Sequence, residues 1–275
     1  MRTKVKDGLL NVVFALIGAL MLVPIYFLLV NTFKTPAEAN ASPLGLPARI
    51  TLDNYANAFI AMNFPRALKN NLIIMVFAVI FLVIFSSMAA YAVVKGKTRA
   101  TKIMFSIFMV GLIIPFQATI IPLLRIAIGL GLMNTFPGVI TICVFCINMP
   151  LSVFLFRGFI NTIPADLEEA AAIDGCGVFR TFWRIMFPLL SPIIATVGIL
   201  DALAVWNDYM TPLLFLQSPD LNVLLQEVQK NVGPFTTNWT TFLPMLVLAV
   251  LPMVVIYLIL QKYIIEGVVA GAVKG

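Results

Sequence analysis

Apolar residues in this chain neither alternate with polar ones nor recur every third or fourth position; they gather in runs long enough to lose both periods. The runs extend from Leu9 to Val30, Leu72 to Val94, Ile103 to Leu124, Phe136 to Phe156, Leu189 to Leu216 and Phe242 to Leu260. About 20 apolar residues carry a helix across the hydrocarbon of a bilayer. The pattern therefore predicts six transmembrane helices in an all-α polytopic membrane protein. The first run is too long for the apolar segment of a signal peptide, and Lys34 separates it from the small-residue pattern Ala39-Asn40-Ala41. Prolines at 115, 122, 150, 192, 212, 244 and 252 lie within the later runs and predict kinked helices, whose freed carbonyls find partners inside a bundle.

Composition agrees with the pattern. With 61% hydrophobic and 11% charged residues, a chain of 275 residues has too little polar surface for a soluble globule. Its mean hydropathy is +1.03. No internal repeat or long hydrophilic segment interrupts the runs, so residues 1–275 read as one transmembrane domain.

The net charge of +6 matters through its placement and is not read as a nucleic-acid surface. Arg2, Lys4 and Lys6 precede the first run, and Lys95, Lys97, Arg99 and Lys102 lie between the second and third. The positive-inside bias puts both groups, and hence the N-terminus, in the cytoplasm. Counting crossings then places 31–69, with Pro36, Pro43, Pro47 and Pro65, in an external loop. Segment 161–188 and the tail 261–275 return to the cytoplasm.

Histidine is absent, which removes His-based acid–base catalysis, the usual Ser/His and Cys/His nucleophile pairs and most zinc sites. Cys143 and Cys146 have redox or metal spacing but stand in an apolar run, where packing is the expected role; Cys176 is expected to remain a free thiol. Gly96-Lys97-Thr98 looks like the end of a phosphate-binding loop, yet Tyr91 occupies the position that needs glycine. No catalytic residue, metal site or bound cofactor is expected.

Two stretches carry chemistry. Asp166 to Pro188 is a charged island, predicted as two short helices broken at Gly175. Thr162 caps the first in this reading, Pro164 suits its opening turn, and Asp166, Glu168 and Glu169 complement its dipole. The second runs from Val178 to Met186 and is ended by Pro188. Ala170, Ala171 and Ala172 leave a nearly flat side on the first helix, which suits docking of another protein. In the fifth run, Asp201 and Asp208 are seven residues apart and are expected near one face, and carboxylates in a membrane are costly enough to mark function. Trp206-Asn207-Asp208-Tyr209 combines a carboxylate with aromatic rings, as sugar sites do, although interfacial aromatic anchors have the same composition.

The spacing Glu169-Ala170-Ala171-x-x-Asp174-Gly175, followed by Ile185 and Pro188, resembles the EAA loop of bacterial ABC-importer membrane subunits. Thr51-Leu-Asp-Asn-Tyr55, Trp206 to Tyr209, Gln261-Lys-Tyr263 and the tail Gly267 to Gly275 extend the resemblance over nearly the whole chain, toward MalG-type carbohydrate permeases. Cys176 and Val269 depart from the residues usual at their positions.

The resemblance implies a single permease domain of the bacterial inner membrane, with a cytoplasmic helix-turn-helix coupling loop and no nucleotide site of its own. It implies a MalF-like second permease, two ATP-binding subunits that carry ATP and Mg²⁺, an extracytoplasmic sugar-binding protein and a carbohydrate substrate, an oligosaccharide. Coupling to the ATPase falls on Glu168, Glu169, Ala170, Ala171, Asp174, Gly175, Ile185 and Pro188. A second ATPase contact falls on Gly271, Ala272, Val273, Lys274 and Gly275, and the substrate pathway on Asp201, Trp206, Asn207, Asp208 and Tyr209. The alternative from another class is an ion-coupled secondary transporter that uses Asp201 and Asp208.

Overall fold

The computed structural model describes the backbone of residues 2–96, 98–232 and 238–272, with side chains from Leu10 to Gln261 within those ranges. Among the described residues all regular structure is helical. Four helices contain stretches long and apolar enough to cross a membrane: α1 (Arg2–Asn31), α4 (Phe64–Lys95), α7 (Phe136–Ile160) and α13 (Trp239–Ala272). Between α1 and α4 lie α2 (Pro36–Ala41) and α3 (Asp53–Ala61). Two further candidate spans are bent pairs. α5 (Arg99–Ile113) meets α6 (Phe116–Gly129) at 112°, and α9 (Val178–Leu189) meets α10 (Ser191–Trp206) at 78°. α8 (Asp166–Ile173), α11 (Met210–Phe215) and α12 (Leu224–Lys230) complete the order.

The chain divides into two compact units, residues 1–65 with 227–251, and residues 66–226 with 252–275. In the first, α1 is exposed at every position from Leu10 to Tyr26. Its C-terminal end is tied into a knot. Lys34 is 1% exposed, and its ammonium donates to Asn31 Oδ1 at 3.2 Å and to the carbonyls of Ser42 at 2.8 Å and Pro43 at 3.1 Å. Three donors meet three acceptors, so the buried cation is fully hydrogen-bonded. Asn54 Nδ2 donates to the carbonyls of Thr32 and Lys34, both at 2.8 Å, and Tyr55 Oη meets Thr32 Oγ1 at 3.1 Å. Thr35 and Glu38 form a capping box that opens α2, and the Thr35 backbone N–H is the main cause holding the Glu38 carboxyl below its usual range. Asn54→Ala orphans two carbonyls and is expected to cost about 1–3 kcal/mol. Faster protease nicking between residues 35 and 52 in the purified protein checks it.

The second unit is built around α4, whose buried positions Ala67, Asn70, Ile74, Ala78, Leu82, Ser86 and Ala90 recur every three or four residues. The small members of that stripe let neighbouring backbones approach closely, which is how membrane helices pack without a hydrophobic drive. α7 packs against α5 and α10. Asn134, at φ +57°, accepts the N–H groups of Gln217 and Ser218 on its side-chain oxygen. Asn70 Nδ2 donates to the carbonyls of Asp220 and Asn222, beside an Arg66–Asp220 ion pair.

Three expected boundaries shift. α4 begins at Phe64, eight residues before Leu72, because Pro65 fits an opening helical turn. The third expected span is broken where Ile114 turns extended and Pro115 caps α6. The fifth expected span stops at Trp206 instead of reaching Leu216. Pro212 has no N–H to offer the Asp208 carbonyl in a continuous helix, and Asp208 Oδ1 instead accepts the Thr211 N–H at 3.0 Å, opening α11. α7 passes through Pro150 unbroken, with a π-helical stretch at Ile142–Asn148 just before it.

Candidate functional site

The charged island folds as two helices around a tight turn. α8 ends at Ile173, and Gly175 takes φ +74°, the left-handed conformation expected of it. The Gly175 N–H bonds the Ala172 carbonyl at 3.1 Å and the Cys176 N–H bonds that of Ala171 at 2.9 Å. These crossed bonds are a Schellman closure, which satisfies the last carbonyls of the helix. Thr162 does not cap α8, since two residues separate it from Ala165, where the helix opens; its hydroxyl donates instead to Phe159 O at 2.8 Å and closes α7. Nor does Pro188 end the second helix. A π-helical stretch at Phe182–Met186 widens the backbone where the proline ring would otherwise clash, and α9 continues to Leu189.

The sequence-predicted coupling residues divide between two faces of the loop. Ala171 is buried and Glu168 is turned inward, while Glu169, Ala170 and Asp174 are exposed with Ile173, which is 86% accessible. Ile185 is half-buried and Pro188 exposed. Outward, then, the loop presents two acids, a small residue and an uncovered Ile173, beside Phe179 at 70% exposure on α9.

Inward, the loop is fastened to the end of α4 by residues the sequence did not point out. Lys95 forms an ion pair with Glu168 Oε2, and Tyr91 Oη donates to the same oxygen at 3.3 Å. Tyr91 is itself buried, its ring 5.4 Å from that of Phe182 on α9. Phe182 continues the contact to Trp183 at 5.0 Å and Phe187 at 5.8 Å. One turn of α4 thus holds both helices of the loop, α8 by charge and α9 by aromatic packing. Tyr91 drew notice in the sequence only as the wrong residue for a phosphate loop, and Lys95 only as one of a basic run.

The two aspartates do not share a face, because α10 ends between them. Asp201 is 3% exposed, with the Ser152 hydroxyl of α7 at 2.9 and 3.0 Å from its two oxygens. Asp208 lies past the helix end, capping α11 with one oxygen while the Cys143 thiol donates to the other at 3.8 Å. Trp206 is buried; Asn207 is exposed, its amide donating to Leu203 O at 2.9 Å, and Tyr209 is half-exposed. Gly271 and Ala272 close the described part of α13, and Val273, Lys274 and Gly275 lie outside the described residues.

The model of the family described as "Binding-protein-dependent transport system inner membrane component" matches residues 82–269, a stretch that holds α8, α9 and their anchor on α4. The chain is 36% identical over 273 residues to the probable starch degradation products transport system permease protein AmyC of Thermoanaerobacterium thermosulfurigenes, covering 99% of each chain. It is also 36% identical over 275 residues to the melibiose/raffinose/stachyose import permease protein MelC of Bacillus subtilis, covering 100% of this chain and 99% of that one. Its fold is similar to a chain in the crystal structure of a bacterial ABC transporter involved in the import of the acidic polysaccharide alginate. There the TM-score is 0.84 at 24% identity, over 96% of this chain and 98% of the other. With the family model covering well over half of its length, this all-α polytopic chain belongs to the binding-protein-dependent transport system inner membrane components, as a transport component and not an enzyme.

Proposed function

We propose that this chain is a permease subunit of an ATP-driven carbohydrate importer, and that α8 is the surface through which it receives work. The observation that carries this reading is a helix bound to its own subunit along one face and bare along the other. Glu168 and Ala171 fix it inward, while Glu169, Ala170 and Ile173 wait for a partner. A MalF-like second permease supplies the other half of the pathway, and two ATP-binding subunits carry the ATP and Mg²⁺. An extracytoplasmic sugar-binding protein delivers the substrate. Relatives whose names refer to starch degradation products and to melibiose, raffinose and stachyose support an oligosaccharide as cargo.

Mechanically, force on α8 passes through Glu168 to α4 and around the Gly175 turn into α9 and α10. The Asp201–Ser152 contact joins α10 to α7, so three membrane helices share the load. Asp201, Trp206, Asn207, Asp208 and Tyr209 lie along and beyond the end of α10, where the pathway is placed in this reading. The tail from Gly271 to Gly275 supplies a second contact with the ATPase. Residues 31–69 face outward, and 161–188, 261–275 and both termini lie in the cytoplasm, within one permease domain over 1–275.

Reconstitution tests the assignment. Vesicles holding the chain alone are expected neither to hydrolyse ATP nor to take up oligosaccharide, while the complex with ATPase and binding protein does both. Uptake by the lone chain along an ion gradient would hand the buried Asp201 to the ion-coupled reading. In a variant without Cys143, Cys146 and Cys176, single cysteines at 57 and 231 are expected to react with an impermeant thiol reagent from outside, and those at 98 and 176 to stay protected. The reverse pattern inverts the orientation.

A further inference from the structure

Where α4 ends, α5 begins and α7 ends, the second unit forms an open cleft of about 540 Å³ whose chemistry the coupling mechanism leaves unused. Val94 and Phe105 form an apolar wall, and Lys102, Arg157, Ser106 and Asn161 supply polar groups. Two of these are cations, and among the described residues no carboxylate lines the space. Arg157 lies over Phe105, its Cζ 4.0 Å from the ring centroid. Its Nε is buried and has no hydrogen-bond partner among the described residues.

The Arg157 guanidinium is half-buried and no carboxylate among the described lining residues balances it, so an anion with several oxygens in this space supplies the missing counter-charge. Planar N–H pairs match phosphate in a two-pronged geometry. The surroundings indicate where such a phosphate comes from. α5 contains no buried residue, and Ile103, Ile107 and Val110, which directly follow Lys102, are 53%, 65% and 53% exposed. The cavity thus sits where uncovered apolar helix gives way to basic residues, the level of a bilayer's headgroups. We infer that this cavity binds the phosphate of an anionic phospholipid, in the leaflet on the side of the coupling loop, with Arg157 and Lys102 as the recognising cations and the acyl chains lying along α5.

Native mass spectrometry of the assembled importer in neutral detergent, titrated with phosphatidylglycerol, phosphatidylcholine or inorganic phosphate, tests this. The wild-type complex should retain phosphatidylglycerol in preference to phosphatidylcholine. Removing two juxtamembrane charges with Arg157→Gln and Lys102→Gln together should weaken retention about thirtyfold. Lys102 is exposed, so Lys102→Gln alone keeps the fold and should weaken it about fivefold. Arg157→Lys, which keeps charge without the fork, should fall between wild type and the double variant. Equal retention of the two lipids, or undiminished phosphatidylglycerol binding in an assembled double variant, overturns the proposal. Millimolar inorganic phosphate that binds through Arg157 and displaces no lipid would also overturn it, by assigning the cavity to free phosphate.

Discussion

Gly175→Val is expected to leave an importer that assembles, inserts and docks its loaded binding protein, yet takes up substrate at least about tenfold more slowly, with ATP hydrolysis no longer stimulated by substrate. A Cβ at this position meets nothing within 4 Å, so steric collision is not the cause. The cause is the backbone at φ +74°, where an L-residue costs about 1–2 kcal/mol and a β-branched one more. The crossed bonds from Gly175 and Cys176 need that conformation, and without them α8 loses both its closure and its angle to α9. The spans themselves are stabilised by lipid and by one another, and α4 and α7 do not pass through the turn. Asparagine enters the left-handed region more readily than other side chains, so Gly175→Asn should keep most activity, Gly175→Ala less and Gly175→Val least. Uptake and substrate-stimulated ATPase in reconstituted vesicles, with co-purification as the assembly control, measure the series. Wild-type rates in Gly175→Val would remove the turn from the transmission path.

Glu168→Lys is expected to reduce transport by about tenfold while basal ATP hydrolysis persists, and Lys95→Glu to do the same from the other side. Exposed ion pairs contribute only about 0–1 kcal/mol, and the Lys95 side chain is 41% exposed, so simple loss of attraction is a weak effect. Reversal does more. It sets like charges together where α8 is attached to α4, next to the buried Tyr91 hydroxyl that donates to Glu168. The combined Lys95→Glu and Glu168→Lys exchange should recover coupling because the pair re-forms with its poles reversed. Glu169→Lys is the contrasting case: Glu169 is exposed and Lys95 pairs with Glu168 instead, so Lys95→Glu should not rescue it. Uptake per ATP hydrolysed separates the outcomes, and an exchange variant no better than either single reversal would show that Glu168 acts on the partner and not on α4.

What could be read from the chain depended on how local its cause was. The apolar runs located helices because crossing hydrocarbon imposes a length, and Gly175 was legible because one residue type fits one backbone conformation. The bends were not. Pro115 breaks the chain by 112° while Pro150 lies inside a continuous helix, and the difference rests on the neighbouring π-helical turn, which no composition rule reports. Asp201 and Asp208 looked like one face because seven residues are two helical turns, but a helix that ends at Trp206 cancels that geometry. Thr51 to Tyr55 was visible only as a resemblance; the structure gives it a physical reason, in that Asn54 and Tyr55 close the knot over Thr32 and Lys34. Lys95 and Tyr91 escaped notice because their partner, Glu168, lies more than 70 residues away, and pairing at that distance leaves no trace in either segment.

The knot around Lys34 also has a place in time. Its hydrogen bonds join residues at most 23 apart in the chain, whereas the ion pair of Arg66 with Asp220 spans 154. Closing the longer loop costs about 1.7 kcal/mol more in chain entropy, and it cannot close before the later residue has been synthesised. During biogenesis the knot can therefore set while most of the later chain is still on the ribosome. It gives the segment that follows α1 a folded, protease-resistant end before the helices of the other unit exist to pack. A translation intermediate truncated near residue 110 should already protect residues 31–55 from external protease, and the same intermediate carrying Asn54→Ala should not.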